Sequence, residues 1–579
     1  MSTDTPQSPD TQKLTAFEKL KEDSRYLRGT IAEELKEPTD HFDKDNIQLL
    51  KFHGMYQQDD RDLRGAARKE GGGKAFGMML RSRIPGGRMT SEQFLAELDL
   101  CDEFGNATMK ITTRQSIQLH GIAKGNLKQT IKRINDVQLS TLAACGDVNR
   151  NVMCCPAKRA DGLHQEIQDL SQDLAMSLAP QTTGYYELWM TDPETDEKTL
   201  VGGQPEGSVV EPLYGPRYLP RKFKCAVTLA DDNCVDIYAN DLGFLAVVRD
   251  GKIIGYNVLV GGSMGVTPSA AKTFPALAKR MAFVTPDQVI DVAKAVIMVQ
   301  RDYGNREDRK RARMKYLIHD WGIERFRAMV EEYFGSPLQD CTPDDVSGFD
   351  DHMGWQEQGD GLWSYGLNIE NGRLYDNEHR QLKEAMREIC GKLNPNVRLT
   401  AHQSVIFCDL QESDRAVLEE ICRRHRVPLT EETSTVRRWS MACVALPTCG
   451  LAITESERIL PSIIDSIEQP LAKLGLDRDA FTIRMTGCPN GCARPYNSDI
   501  ALVGKAKGKY TLFAGGALLG TRLAYIYKDM VPEESVTEEL IGIFAAYKAN
   551  REQGESLGDF CHRVGRDALE TLAAEAPKP

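Results

Sequence analysis

The chain has 579 residues, 41% of them hydrophobic and 27% charged, with 48 Gly and 26 Pro, which excludes a disordered, collagenous or coiled-coil protein and asks for several cores. Its 72 Lys and Arg against 84 Asp and Glu leave a formal charge of −12, so a general surface for nucleic acid or for an anionic membrane is excluded as well.

The opening MSTDTPQSPDTQKL has no apolar core and no basic leader, and no apolar run approaches the ~20 residues of a bilayer span. A soluble, cytoplasmic protein is expected. In that reducing setting the 15 cysteines should be thiols, and a close group of them should hold metal.

After a polar stretch over 1–15, the spacing of Leu20, Tyr26, Leu27, Ile31 and Leu35 predicts a helix within 16–36. KEGGGKAFG (69–77) reads as a flexible join; a phosphate loop would need Ser or Thr after Lys74, where Ala stands. The strand predicted over 78–84 puts Arg81 and Arg83 on one side. Helical patterns follow at 91–104, 163–177, 287–302, 380–392 and 414–425, and GFLAVV (243–248) and YNVLV (256–260) have the length of buried strands. A weak repeat runs through them. ITTRQSIQL (111–119) parallels LTAHQSVIF (399–407), SRIPGGRM (82–89) parallels NIENGRLY (368–375), and GYNVLVGG (255–262) parallels KYTLFAGG (509–516). The order small unit, larger unit, small unit, larger unit implies a duplicated α+β chain. No strand–GxGxxG–helix unit occurs, so no dinucleotide site of the Rossmann kind is expected.

Cys443, Cys449, Cys488 and Cys492 lie in SMACVALPTCG and RMTGCPNGCARPY, with five, thirty-eight and three residues between them. Two close pairs around an insert suit an iron–sulfur cluster. Zinc fits the five-residue gap poorly, and four buried free thiols are the plainest alternative. Gly487, Pro489, Asn490 and Gly491 let the backbone fold tightly and aim N–H groups at sulfur. The remaining eleven cysteines, the Cys154–Cys155 pair included, read as core or surface thiols, and His41, His53, His319 and His562 lack metal spacing.

The quartet and its flanks resemble the signature of the siroheme-dependent sulfite and nitrite reductases. SRYLRGTIAEEL, FHGMYQQDDRD, NRNVMC, YLPRKFK and QRDYGNREDRK extend the resemblance over most of the chain, toward the hemoprotein (beta) subunits of assimilatory sulfite reductases. The resemblance implies one [4Fe-4S] cluster on the four cysteines and one siroheme whose iron takes Cys492 as axial ligand. It implies an N-terminal arm (1–79), ferredoxin-like half-domains (80–142 and 351–428), and larger siroheme and cluster domains (143–350 and 429–579). By motif, Arg81, Arg150, Lys222 and Lys224 should face the substrate, and Arg114, Gln118, His120, Arg221 and Arg313 the siroheme carboxylates. Arg309 and Arg313, four apart, are expected on one helix face. Sulfite is the implied substrate, reduced by six electrons to sulfide for cysteine synthesis. The electrons would come from a flavoprotein subunit (NADPH, FAD, FMN) or from ferredoxin. A nitrite reductase of the same fold is the near alternative and a zinc-stapled interaction protein the distant one. The basic run RKRARMK (309–315) falls inside a family-like block, so no nucleic-acid partner is expected. Two departures stand out: Gly146 where the family pattern leads to Asn, and ARPYNSD (493–499) after the last cysteine.

Overall fold

A computed structural model describes residues 12–69, 71, 73–181, 188–193, 195, 197–202, 211–267 and 270–578; most of the polar opening, and Glu70 and Gly72 of the glycine-rich join, lie outside the described residues. The helix expected over 16–36 is broken in two. Ala16–Asp23 and Ile31–Glu34 are separated by a turn in which Arg25, Tyr26 and Leu27 all have positive φ, a conformation no helix carries.

The architecture is α+β, built on four five-stranded sheets. The first small sheet runs Met55–Asp59, Phe76–Arg81, Ile117–Ile122, Met109–Ile111, Arg373–Leu374; its mate runs Gly354–Glu357, Trp363–Leu367, Val405–Leu410, Asn396–Leu399, Arg88–Met89. Each sheet thus ends on a two-residue strand lent by the other. The turns Pro85–Gly87 and Glu370–Gly372 carry the exchange. A Cβ at Gly87 would lie 2.4 Å from the Leu399 carbonyl oxygen, and one at Gly372 would lie 2.3 Å from that of Ile111, so both crossings need glycine. One apolar core fills both small units, with Phe94, Leu98, Ile111 and Leu119 meeting Leu367, Met386, Val397 and Phe407. The helix Ser91–Glu103 on this core starts at a Thr90 capping box and buries Phe94, Leu98 and Cys101, residues on one helical stripe.

The larger sheets also match each other. In the first, Met153–Cys154, Cys225–Thr228 and Leu242–Arg249 are parallel neighbours, followed by antiparallel Lys252–Val260 and Lys279–Val284. In the second, Ser440–Ala442, Ile483–Thr486 and Ile500–Ala506 are parallel, followed by antiparallel Lys509–Ala514 and Tyr525–Pro532. In the linking turns, Gln115 holds both backbone groups of Cys154 by its amide, and Gln403 does the same for Ala442. Among the described residues no helix is long and apolar enough to cross a membrane.

Candidate metal centre and basic cluster

The four cysteines come together where the second large sheet meets the small units. Cys443 and Cys449 follow the strand Ser440–Ala442; Cys488 and Cys492 follow Ile483–Thr486. The Gly487 N–H donates to Cys443 Sγ at 3.4 Å and the Asn490 amide to Cys488 Sγ at 3.3 Å. Burial, then the charge of the neighbouring Cys492, pushes the thiols of Cys443, Cys449 and Cys488 up. Such a group is costly as four thiolates and is stabilised by a multivalent metal centre. The residues therefore fit a cluster. Cys488 is buried, whereas Cys492 is exposed.

Several segments brace these loops. Arg61 donates to the carbonyls of Cys449 (3.0 Å) and Ala452 (2.9 Å). Glu457, whose N–H donates to the Cys443 carbonyl at 3.2 Å, ion-pairs with Lys110 (2.5 Å) of one small unit and Arg373 (2.6 Å) of the other. Thr113 Oγ1 donates to the Cys492 carbonyl at 2.9 Å.

The basic residues converge on the side of Cys492. Burial lowers Lys222 to about 7, helped by Arg221, Arg313 and Arg150 and opposed by the Cys492 sulfur. Lys224 is lowered well below the ammonium range by burial and by Arg114 and Lys222. Among the described residues neither ammonium pairs with a carboxylate. Arg114 is pushed down to about 9 by burial and by Arg150 and Arg494; it spans two units, reaching Asn240 Oδ1 (2.9 Å) and the Asn151 carbonyl (2.7 Å). Arg221, lowered to about 10 by burial, lies 3.7 Å from Asp147. Arg81 and Arg150 approach one sulfur, that of Cys145, at 2.7 and 3.3 Å. Gln118, paired with Arg81 in the strand register, accepts from Arg81 Nε at 3.0 Å when its amide oxygen faces that side. The carboxylates set among these cations are Asp147 and Asp241. The Arg114 Nε and both side-chain polar atoms of Asn149 are buried without a partner. A cluster of cations in which Lys222, Lys224, Arg81, Arg114 and Arg150 pair with no carboxylate among the described residues fits a polyanionic macrocycle and a small oxyanion.

Some expectations fail. Arg83 does not share a face with Arg81: the strand ends at Arg81, and Arg83 turns its guanidinium to the carbonyl of Ala175. Arg309 and Arg313 do not share a helix. Arg309 opens the short 3₁₀ turn Arg309–Arg311 and pairs with Asp147 at 2.6 Å, while Arg313 caps the helix Met314–Trp321 and pairs with Asp241 at 2.6 Å. The placing of His120 beside Gln118 on one strand does hold; its Nδ1 lies 3.0 Å from Gln58 Oε1 and it lines a cavity of ≈ 470 Å³ with Arg373, Val444 and Thr448.

Gly146 has φ +90, and a Cβ there would lie 2.8 Å from the Phe52 ring, so an amide side chain is sterically displaced at this point. The departure over 493–499 has a structural answer too. Arg494, at φ 53, is buried and donates to the Thr113 carbonyl at 2.7 Å, the Ala401 carbonyl at 3.2 Å and the Asp236 carboxylate, tying the other three units to its own. Arg484 joins it on Asp236 at 2.9 Å. Sequence reasoning missed Arg484, Arg494 and Cys145, because none stands in a spacing that marks chemistry.

Fold and site together define a redox enzyme of the iron–sulfur class. Residues 145–338 and 434–577 match the domain family described as the nitrite and sulphite reductase 4Fe-4S domain, and residues 70–137 and 356–425 match the nitrite/sulfite reductase ferredoxin-like half domain. The chain belongs to this family, and within it stands with the sulfite reductase hemoproteins. It is 44% identical to a sulfite reductase [ferredoxin] of Synechococcus elongatus, over 98% of this chain and 93% of the relative. It is 42% identical to a sulfite reductase [NADPH] hemoprotein beta-component of Staphylococcus haemolyticus, over 96% of each. The solved structure of the Mycobacterium tuberculosis NirA protein shares the fold, with a TM-score of 0.79 at 24% identity, over 96% of this chain and 98% of that one.

Proposed function

We propose that the chain is the catalytic subunit of an assimilatory sulfite reductase, reducing sulfite to sulfide in the cytoplasm for cysteine synthesis. Its electrons come from ferredoxin or from an NADPH-oxidising flavoprotein subunit. Cys443, Cys449, Cys488 and Cys492 would hold the [4Fe-4S] cluster, and Cys492, the exposed one, would also bind the siroheme iron. Arg114, Gln118, His120, Arg221 and Arg313 would hold the macrocycle. The two groups, when bound, would supply the six electrons one at a time.

Arg81 and Arg150 bind and orient the oxyanion; their guanidiniums stay charged and can take two oxygens each. Lys222 and Lys224 hold protons for the departing oxygens, since burial and neighbouring cations lower both ammoniums, Lys222 to about 7, and so ease release of the proton. The observation that carries this reading is the Lys222–Lys224 edge, which pairs with no carboxylate among the described residues and on which Lys222 lies close enough to the exposed Cys492 and to Arg221, Arg313 and Arg150 to feel their charge. An absorption spectrum with metal analysis tests it: macrocycle bands that shift on sulfite addition, with iron, are expected, and a colourless protein with zinc on the quartet would overturn it. Turnover of sulfite against nitrite with one artificial donor decides the substrate.

A further inference from the structure

The match between the two large sheets extends into their loops. The amide of Gln115 clamps Cys154 as that of Gln403 clamps Ala442, so Cys155 stands where Cys443 does. The registers Leu242 to Cys225 and Ile500 to Ile483 are likewise equivalent. From there the chain runs through loops of equal length to Asp236 and Arg494, both in the left-handed region at φ 50 and 53. Along that path Ala230 stands where Cys488 does, and Cys234 where Cys492 does. Two of the four cluster positions thus have cysteine counterparts in the first unit.

Those two cysteines are not alone. The Sγ atoms of Cys155 and Cys234, a carboxylate oxygen of Asp232 and a ring nitrogen of His352 all lie within 4.8 Å of one another, and all four residues are buried. Cys155 Sγ is 2.8 Å from Asp232 Oδ2 and 3.7 Å from His352 Nε2, which is 3.0 Å from the same carboxylate oxygen. Tetrahedral zinc with bonds of about 2.0 Å to N or O and 2.3 Å to S holds its donors about 3.3–3.8 Å apart. The 3.7 Å separation lies in that range and the 2.8 and 3.0 Å separations a few tenths of an ångström below it, so the group has the size of a one-ion site after a slight opening and is too tight for a cage of irons. Outer partners are in place: His352 Nδ1, otherwise unpartnered, points toward Asp350 at 3.7 Å, and the Asp232 carboxylate is held by the Cys234 N–H at 3.2 Å.

We propose that Cys155, Asp232, Cys234 and His352 bind a structural zinc ion, a second metal centre related to the quartet by the internal repeat. Four protein donors leave no open position, so the ion stabilises and does not catalyse. It fastens the irregular segment before Gly354–Glu357, which carries His352, to the sheet of the first unit. The inference stands whatever the quartet binds.

The test is metal analysis and zinc-edge X-ray absorption on the holoenzyme from zinc-replete cells. About one zinc per chain is expected, in a shell of two sulfurs and two nitrogen or oxygen atoms. Cys234→Ser and His352→Ala should each lower zinc content at least ~10-fold with iron unchanged. Because the first measurement needs no variant, a misfolded variant cannot rescue the idea. Absence of zinc, a four-sulfur shell, a shell without sulfur, or a Cys155–Cys234 disulfide in unreduced peptide maps would each overturn it.

Discussion

Residues 225–242 and 483–500 follow one path of strand, loop and left-handed turn, yet present different donors. In the second unit the loop offers Cys488 and Cys492, and Cys492 is exposed. In the first, alanine replaces the former, Cys234 is only 2% exposed, and a histidine from a distant linker completes the group. The same backbone can therefore open a thiolate outward, toward a partner group, or close it inward around its own side chains. Depth of burial of the last cysteine separates the two outcomes.

The sharpest way to break the comparison is to remove a thiol that only the second unit has. Cys488→Ser should lose cluster iron and at least ~10³-fold in sulfite turnover, read by iron analysis and steady-state rate. Next comes the cation edge that the first unit turns toward the second. Lys222→Met should lower kcat by ~10²–10⁴-fold with iron content and visible bands intact. A third test cuts the bond between equivalent turns. Arg494→Ala leaves Asp236 short of a partner in a fully buried site and should cost about 3–5 kcal/mol in a denaturant titration, less if Asp236→Asn is added. The smallest concerns Asp147, whose pKa burial would raise but which Arg309, Lys21 and Arg221 bring down to about 2 from 3.8. Its folded value is depressed, so its stabilisation, about 2 kcal/mol, is present above pH 3.8 and lost as pH falls toward 2. The stability gap between the wild type and Asp147→Asn should narrow over that window.

The quartet was legible because its cysteines come in short-range pairs among glycine and proline, which mark a tight loop around a bulky object. The repeat was legible because strand–turn–strand segments keep their polar turn residues, as in the Arg114–Ser116 and His402–Ser404 stretches. Helices such as Leu163–Ser177 and Val289–Tyr303 fall where periodicity puts them. The Cys155, Asp232, Cys234 and His352 group was not legible: Cys155 and His352 are far in sequence from Asp232 and Cys234, and pairing of Met153–Cys154 with Cys225–Thr228 brings in the first while the linker held by the Asn233 N–H on the Gly348 carbonyl brings in the second. Arg83 and Arg309 misled because two-apart and four-apart rules hold only inside a continuous strand or helix. Arg494 was hidden because its partners are two backbone carbonyls and an Asp236 carboxylate 258 residues away, which leave no trace in local spacing.

The traded edge strands have a bearing on how the protein is made. Arg373–Leu374 closes a sheet begun at Met55, so that sheet keeps a bare rim until more than half the polypeptide has left the ribosome. Neither small unit is a finished object by itself, and a gene cut between them would yield two fragments that each lack a rim and find it only in one another.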